Sequence, residues 1–175
     1  MPLDIETVID TSGWNEAFDP DQLAQTCIEA CVKAQRNRER SSILKSALRK
    51  SSAEACVIFC ADKKMRELNR QWRAIDKPTN VLSFPAPHQA GSAPFVALGD
   101  IFLGLETVKR EALEQGKLFR AHTAHMIVHG FLHLIGYDHE KDAEATEMES
   151  EEVAILATLG IENPYEGDWR PESAG

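Results

Sequence analysis

Three histidines, His129, His133 and His139, lie four and then six residues apart, with Gly136 between the last two. Residues four positions apart share one face of a helix, so the first two imidazoles can point at one place. A glycine can take the left-handed conformation that ends a helix, which lets the chain turn back and bring the third histidine there. Three neutral imidazoles with an open fourth position are typical of catalytic zinc sites. The spacing therefore predicts one Zn²⁺ ion held by these side chains.

A zinc ion in such a site favours hydrolysis, because it activates water and polarises carbonyl or phosphoryl oxygens. The same spacing occurs in the metzincin proteases, whose signature is H-E-x-x-H-x-x-G-x-x-H. Those enzymes use the glutamate after the first histidine as general base, and this chain has Gly130 there. A peptidase or other zinc hydrolase would need its base from elsewhere, whereas phosphodiester cleavage depends chiefly on positive charge at the phosphoryl oxygens. The residues alone leave RNA, another phosphate and an amide open as substrates.

Further polar residues are candidates for roles around this centre. His122 and His125 precede the triad on the same helical stripe, so either side chain can approach the metal or the substrate. The alternative is that each is an ordinary buried histidine. Asp138 and Asp100 are candidates to orient a metal ligand or to act as the base. An aspartate beside a turn is as often a simple cap.

Apolar periodicity and cap signals predict one α+β domain over residues 1–175, with a small four-stranded sheet and helices packed around the histidine-bearing helix. We expect short segments that are apolar, or that alternate apolar and polar residues, to form the strands, and longer amphipathic segments to form the helices. The predicted strands are 3–11, 53–61, 81–84 and 98–104, and the predicted helices are 19–36, 43–48, 62–72, 105–115, 117–135 and 142–159.

Two of these helices carry specific expectations about their faces. In the helix from 62, Asp62 should cap the first turn, and Met65, Leu68 and Trp72 should face inward. In the acidic helix 142–159 the inward residues should be apolar and the acids should face solvent. Its predicted inward residues are Met148, Val153, Ile155, Leu156 and Leu159.

Composition and charge bound the class of protein. Charged residues make up 27% and apolar residues 43%, which is typical of a soluble globular domain, and no apolar run approaches the roughly 18 residues of a membrane span. The start, Met-Pro-Leu-Asp-Ile-Glu, lacks the layout of a secretion signal, so we expect a cytoplasmic protein with no membrane partner. The net charge is −9, yet residues 33–77 have a local balance of +8. That basic block predicts either a track for phosphates or an ordinary solvated helix face.

Two polar segments and four cysteines have distinct sequence surroundings. Residues 36–52 read as a basic insertion, and residues 162–175, rich in charge and proline, read as a loosely held tail. The four cysteines lie in apolar periodic segments, which predicts buried thiols in a reducing compartment. They are Cys27, Cys31, Cys56 and Cys60.

Three stretches of the chain resemble the YbeY family of bacterial metal-dependent endoribonucleases. Residues 129–139 are similar to the family signature H-G-x-L-H-L-x-G-Y-D-H, residues 68–84 to its second block, and residues 98–101 to its third. The likeness covers about residues 53–160. The glycine after the first histidine makes the signature specific, because it replaces the protease glutamate.

The resemblance implies a small mixed sheet around a central metal helix and a zinc-dependent endoribonuclease specific for single-stranded RNA. It implies action at the 3′ end of 16S ribosomal RNA and in ribosome quality control, with ribosomal RNA and the ribosome or its proteins as partners. His129, His133 and His139 match the metal ligands, Arg73 matches an arginine expected at the scissile phosphate, and His125 matches a further histidine. Trp72 stands where a tyrosine is usual and keeps an aromatic surface for base stacking.

A different class of function is also compatible with the same residues. The chain could be an RNA-associated or ribosome-associated assembly factor whose metal is mainly structural. Rescue of ribosome maturation by a folded protein that lacks His133 would favour that alternative.

Overall fold

The computed structural model describes residues 3–36, 38, 42–50, 52–87 and 95–166. Within them lie four strands, six α-helices and a short 3₁₀ helix (Ser12–Asn15), and the predicted bounds of the strands and α-helices agree with the observed ones to within three residues. The elements are β1 (Leu3–Ile9), α1 (Pro20–Gln35), α2 (Ser42–Leu48), β2 (Ser52–Cys60), α3 (Asp62–Arg73), β3 (Val81–Pro85), β4 (Phe95–Gly104), α4 (Leu105–Glu114), α5 (Phe119–Leu134) and α6 (Asp142–Thr158).

The four strands form one mixed sheet in the order β1-β2-β4-β3. The first three are parallel, and β3 lies antiparallel to β4 at one edge. Parallel neighbours need crossover connections, which α1 and α2 supply between β1 and β2, and α3 with β3 between β2 and β4. The predicted α+β class is confirmed.

The two faces of the sheet are covered unequally. Strand residues that alternate along the sheet, such as Val57, Ile101 and Leu103, belong to the large core that also contains side chains of α1, α5 and α6. Leu82 and Cys60 point to the opposite face, where they meet Met65 and Leu68 of α3 in a smaller cluster. The sheet therefore separates α3 from the histidine-bearing helix α5.

Helix α5 is central, as predicted. Twelve of its sixteen residues are buried, so it is enclosed by neighbouring elements on nearly all sides. It packs on the sheet and on α1, α4 and α6. Its close approach to the sheet depends on Gly130, because a Cβ atom there would lie 2.8 Å from Cγ2 of Ile101.

Three expectations about side chains are wrong. Trp72 does not face inward: it lies in the last turn of α3 with 64% of its surface exposed, and its ring meets Phe84 at the rim of the smaller cluster. Asp62 does not cap its own helix, because its carboxylate accepts hydrogen bonds from the backbone N–H and hydroxyl of Thr107 at the start of α4. Cys56 is only half-buried, while the other three cysteines are buried as predicted.

Helix α6 also departs from the expected pattern. Met148, Ile155 and Leu156 are buried, but Val153 and Leu159 are only partly so, and Glu151 and Glu152 are buried instead. The reason is that both carboxylates have polar partners inside the protein, which offset the cost of removing them from water.

The chain after α6 is described as far as residue 166. Lys117 donates a hydrogen bond to the carbonyl oxygen of Pro164, and the hydroxyl of Tyr165 reaches Glu152. Residues 167–175 of the predicted tail and parts of the predicted insertion, 37, 39–41 and 51, lie outside the described residues. Among the described residues no helix combines the length and apolar character needed to cross a membrane.

Candidate metal centre

The three histidines of the signature come together in the structure. Each offers one ring nitrogen, and these three atoms lie within 4.8 Å of one another. The Nε2 atoms of His129 and His133 are 3.1 Å apart, one helical turn from each other on α5. The ring of His139 stacks beside that of His129, with centroids 5.6 Å apart. This cluster could hold a metal ion.

The turn that returns His139 works as the sequence predicts. Helix α5 ends at Leu134, and Gly136 has a φ of 105°, a conformation that side chains rarely adopt. The backbone N–H of Tyr137 donates to the carbonyl oxygen of Leu132, and the Asp138 carboxylate accepts from the N–H of His139. Asp138 therefore shapes the turn that presents the third histidine.

The second nitrogen of two of these rings is engaged by the protein. Nδ1 of His133 lies 2.9 Å from the carbonyl oxygen of Tyr137, which only accepts, so this nitrogen carries the hydrogen. Nδ1 of His129 contacts a carboxylate oxygen of Glu152. With Nδ1 protonated, each Nε2 presents its lone pair to the shared point, which is the form that a metal ligand needs.

Burial and neighbouring charges give the site its protonation states. Burial, followed by the proximity of His129 and His139, lowers the pKa of His133 to about 4, which keeps its imidazole neutral. For Glu152, burial alone would raise the pKa, but His129 and His125 outweigh it and hold the pKa well below its usual range. The centre therefore combines a neutral imidazole with a buried carboxylate, and the donor set fits a divalent metal such as zinc.

The remaining histidines of the stripe lie beside the triad and bind carboxylates. Nε2 of His125 lies 3.1 Å from Glu152, and its ring is 6.5 Å from that of His129. Nε2 of His122 lies 2.7 Å from Glu111 of α4. The structure thus joins His125 to the ligand His129 through Glu152 and turns His122 toward α4.

Glu152, which joins His129, His125 and Tyr165, is a residue of this region that the sequence patterns did not predict. The acidic composition of α6 suggested a solvated face, and glutamate is almost never fully buried unless it is paired. A signal was present, because Glu152 is four residues after Met148 and three before Ile155 and so lies on the apolar stripe of the helix.

The other predicted site residues lie on β4 and α3. Asp100 is exposed on β4 and flanks Ile101, whose side chain points to α5, so Asp100 faces the other side of the sheet. Trp72 lies on that side too, with its ring 5.8 Å from that of Phe84. Arg73 ends α3, where its guanidinium donates to Oδ1 of Asn69 at 3.4 Å.

Comparisons of this chain with a family model and with known proteins agree on one family. A family model described as "Endoribonuclease YbeY" matches residues 15–160. The endoribonuclease YbeY of Methylocella silvestris is 44% identical over 162 residues, which cover 93% of this chain and 85% of that protein. The chain belongs to the YbeY endoribonuclease family. The match extends further toward the N-terminus than the motifs at 53–160 indicate.

Further YbeY relatives match most of the chain. The protein of Agrobacterium fabrum is 44% identical over 166 residues, 94% of this chain and 96% of that protein. The protein of Rhodopseudomonas palustris is 55% identical over 118 residues, 66% of this chain and 70% of that protein. A solution structure from Thermotoga maritima has a TM-score of 0.53 and 22% identity, covering 95% of this chain and all of that one, which supports the fold.

Proposed function

We propose that this YbeY family member is a zinc-dependent endoribonuclease that cleaves single-stranded RNA at the His129, His133 and His139 centre. The observation that supports it most is the convergence of three imidazole nitrogens within 4.8 Å in a chain of this family. A bound Zn²⁺ would supply a Lewis acid that activates water or the RNA 2′-hydroxyl and polarises a phosphoryl oxygen.

The protein's own residues would bind and orient the RNA around that centre. Arg73, whose planar guanidinium can donate two parallel hydrogen bonds, would neutralise charge on the scissile phosphate. Asp138 holds the turn that carries His139. The exposed ring of Trp72, supported by Phe84, offers a flat apolar surface on which an unpaired base can stack.

The basic block supports an RNA substrate, because part of it lies against the turn that carries the centre. Ile43 of α2 packs beside Gly136: its Cδ1 would be 3.5 Å from a Cβ atom there. The Tyr137 hydroxyl donates to Oε1 of Gln35, at the end of α1. These contacts bring α2, which carries Lys45, against the turn that leads to His139. Cations on this segment would attract a phosphate backbone.

A peptidase is not supported by the packing around Gly130. The direction in which a side chain would leave this residue points into the sheet, at Ile101 and Ser83. A glutamate at this position could not serve as the protease base, and the geometry therefore favours phosphodiester cleavage over the metzincin chemistry.

The finer role is carried over from the family. We propose 16S ribosomal RNA 3′-end maturation and ribosome quality control in the cytoplasm as the biological role, with ribosomal RNA and ribosome-associated proteins as partners. The motifs His129–His139 and 68–84 support this assignment.

The test uses the full chain purified without a polyhistidine tag, since a tag binds zinc itself. We expect cleavage of single-stranded but not fully duplex RNA, loss of cleavage in His133→Ala, and a loss of about 100-fold in Arg73→Ala. Arg70→Ala on the same helix is the matched control and should cleave like the wild type. Equal cleavage by the Arg73 and Arg70 variants would refute the role of Arg73, and cleavage by His133→Ala would point to a contaminating nuclease or refute the metal centre.

A cellular experiment separates the enzyme from the assembly-factor alternative. In cells that lack their own family member, wild-type protein should restore maturation of the 16S ribosomal RNA 3′ end. The His133→Ala protein, shown by circular dichroism to be folded, should not restore it. Full rescue by that variant would support an assembly factor instead.

A further inference from the structure

A buried hydrogen-bonded cluster lies directly behind the metal centre and joins three parts of the chain. Glu152 of α6 is fully buried and has contacts on both carboxylate oxygens. One oxygen meets Nδ1 of His129, and the other meets Nε2 of His125 and the hydroxyl of Tyr165. Only His129 in this cluster belongs to the triad.

Each contact constrains the next one toward the centre. The carboxylate can only accept hydrogen bonds, so Nδ1 of His129 carries the hydrogen and Nε2 presents its lone pair. A carboxylate behind a histidine also makes the imidazole a stronger metal ligand and fixes the orientation of its ring. Tyr165 in turn donates to Glu152 and lies 3.2 Å from Nε2 of His125. The position of the carboxylate is therefore determined by groups on α5 and on the chain after α6.

The chain after α6 is itself held in place at a second point. Lys117, two residues before α5, donates to the carbonyl oxygen of Pro164 at 2.8 Å, and the N–H of Tyr165 donates to Oδ1 of Asn163 at 2.9 Å. The Tyr165 ring packs edge-on against His125, with centroids 5.4 Å apart. This segment is thus a fixed support for the cluster.

We propose that Glu152 is a positioning residue for the metal ligand His129 and that Tyr165 holds Glu152, so that the segment 162–166 sets the metal affinity of the centre. This inference rests on the proposed metal centre. Under this proposal α6 and the segment 162–166 support the metal centre, although neither contributes a ligand to the triad.

The measured quantity is the zinc dissociation constant of the full chain, obtained by competition with a chromophoric chelator. Glu152→Gln keeps the shape but removes the charge, and should weaken zinc binding about tenfold or more. Tyr165→Phe keeps the ring and removes only the hydroxyl, and should weaken binding by a smaller factor, about two- to fivefold.

Glu151→Gln is the matched control. Glu151 is the neighbouring buried glutamate, and its carboxylate meets Gln35 and Arg38 rather than a histidine of the triad. Its variant should bind zinc within about twofold of the wild type. Thermal unfolding of the metal-free proteins is measured in parallel, so that a loss of fold is seen separately from a loss of affinity.

The outcomes are distinct. A wild type that binds no zinc overturns the metal centre and this inference together. A wild type that binds zinc while Glu152→Gln and Tyr165→Phe bind it equally well overturns only this inference, whatever their unfolding temperatures. If Glu151→Gln weakens zinc binding as much as Glu152→Gln does, the inference is also overturned. The loss of affinity would then come from a general loss of stability. Graded weakening in the two test variants, with the control unchanged, supports it.

Discussion

The hydroxyl of Ser83 donates a hydrogen bond to the backbone carbonyl oxygen of Gly130, 3.0 Å away. Ser83 lies on the edge strand β3, and Gly130 directly follows the ligand His129. The contact fixes the histidine-bearing helix against the sheet at the residue where metzincin proteases carry their catalytic glutamate. The helix therefore presents its histidines on one side and its glycine to the sheet on the other.

Substitution of Gly130 should destabilise the fold. A Cβ atom there would lie 2.8 Å from Ile101 Cγ2 and 3.0 Å from Ser83 Oγ. Overpacking costs about 1–3 kcal/mol, while alanine regains about 1 kcal/mol of helix propensity, so Gly130→Ala should lower the free energy of unfolding by up to about 2 kcal/mol. Urea denaturation measures this. Gly130→Glu should fail to fold rather than gain proteolysis, and a folded, proteolytic variant would contradict the packing.

The two described environments of tryptophan should respond differently to the same change. Trp14 is fully buried, stacks on Phe119 and donates to the carbonyl oxygen of Cys60 at 2.9 Å. Trp14→Phe leaves that carbonyl without its donor and should cost about 2–3 kcal/mol of unfolding free energy. The exposed Trp72 is the control: Trp72→Phe should change it by less than about 0.5 kcal/mol. Equal effects in denaturant unfolding followed by circular dichroism would show the environments to be misassigned.

Zinc should stabilise the folded chain. A ligand that binds only the native state at 100 times its dissociation constant adds about 2.7 kcal/mol, so the melting temperature should rise with zinc and fall again with EDTA. Alanine at His129, His133 or His139 should remove the shift. His122→Gln is the control, because His122 contacts Glu111 of α4, and it should keep the shift. A shift that persists in all three triad variants would place the zinc elsewhere.

The cysteines should react slowly in the folded protein. Burial raises the pKa of Cys27 and of Cys60 to about 12 and that of the half-buried Cys56 to about 11. A raised pKa means less thiolate at a given pH, and thiolate is the reactive form. At pH 8 Ellman's reagent should modify Cys56 first and slowly, with a rate that rises about tenfold per pH unit up to pH 10. All four should react at once in denaturant, and a rate that levels off near pH 9 would contradict the raised pKa of Cys56.

The secondary-structure elements and the histidine triad could be predicted from the sequence alone, because the signals that specify them are local. The i, i+4 spacing of His129 and His133 and the glycine at 136 needed only helix geometry and backbone freedom to predict a convergent triad. Apolar periodicity and cap residues likewise predicted the strands and helices, since each reports the burial of one element's face.

Tertiary structure decided what depends on partners distant in the chain. Glu152 is buried because His125 and His129 meet it from another helix, and Trp72 is exposed because α3 ends where the smaller cluster ends. Asp62 caps α4 rather than its own helix because the two helix starts lie side by side. Periodicity shows that a face is buried but not which groups lie opposite it, so a polar side chain with a buried partner resembles a solvated one in sequence.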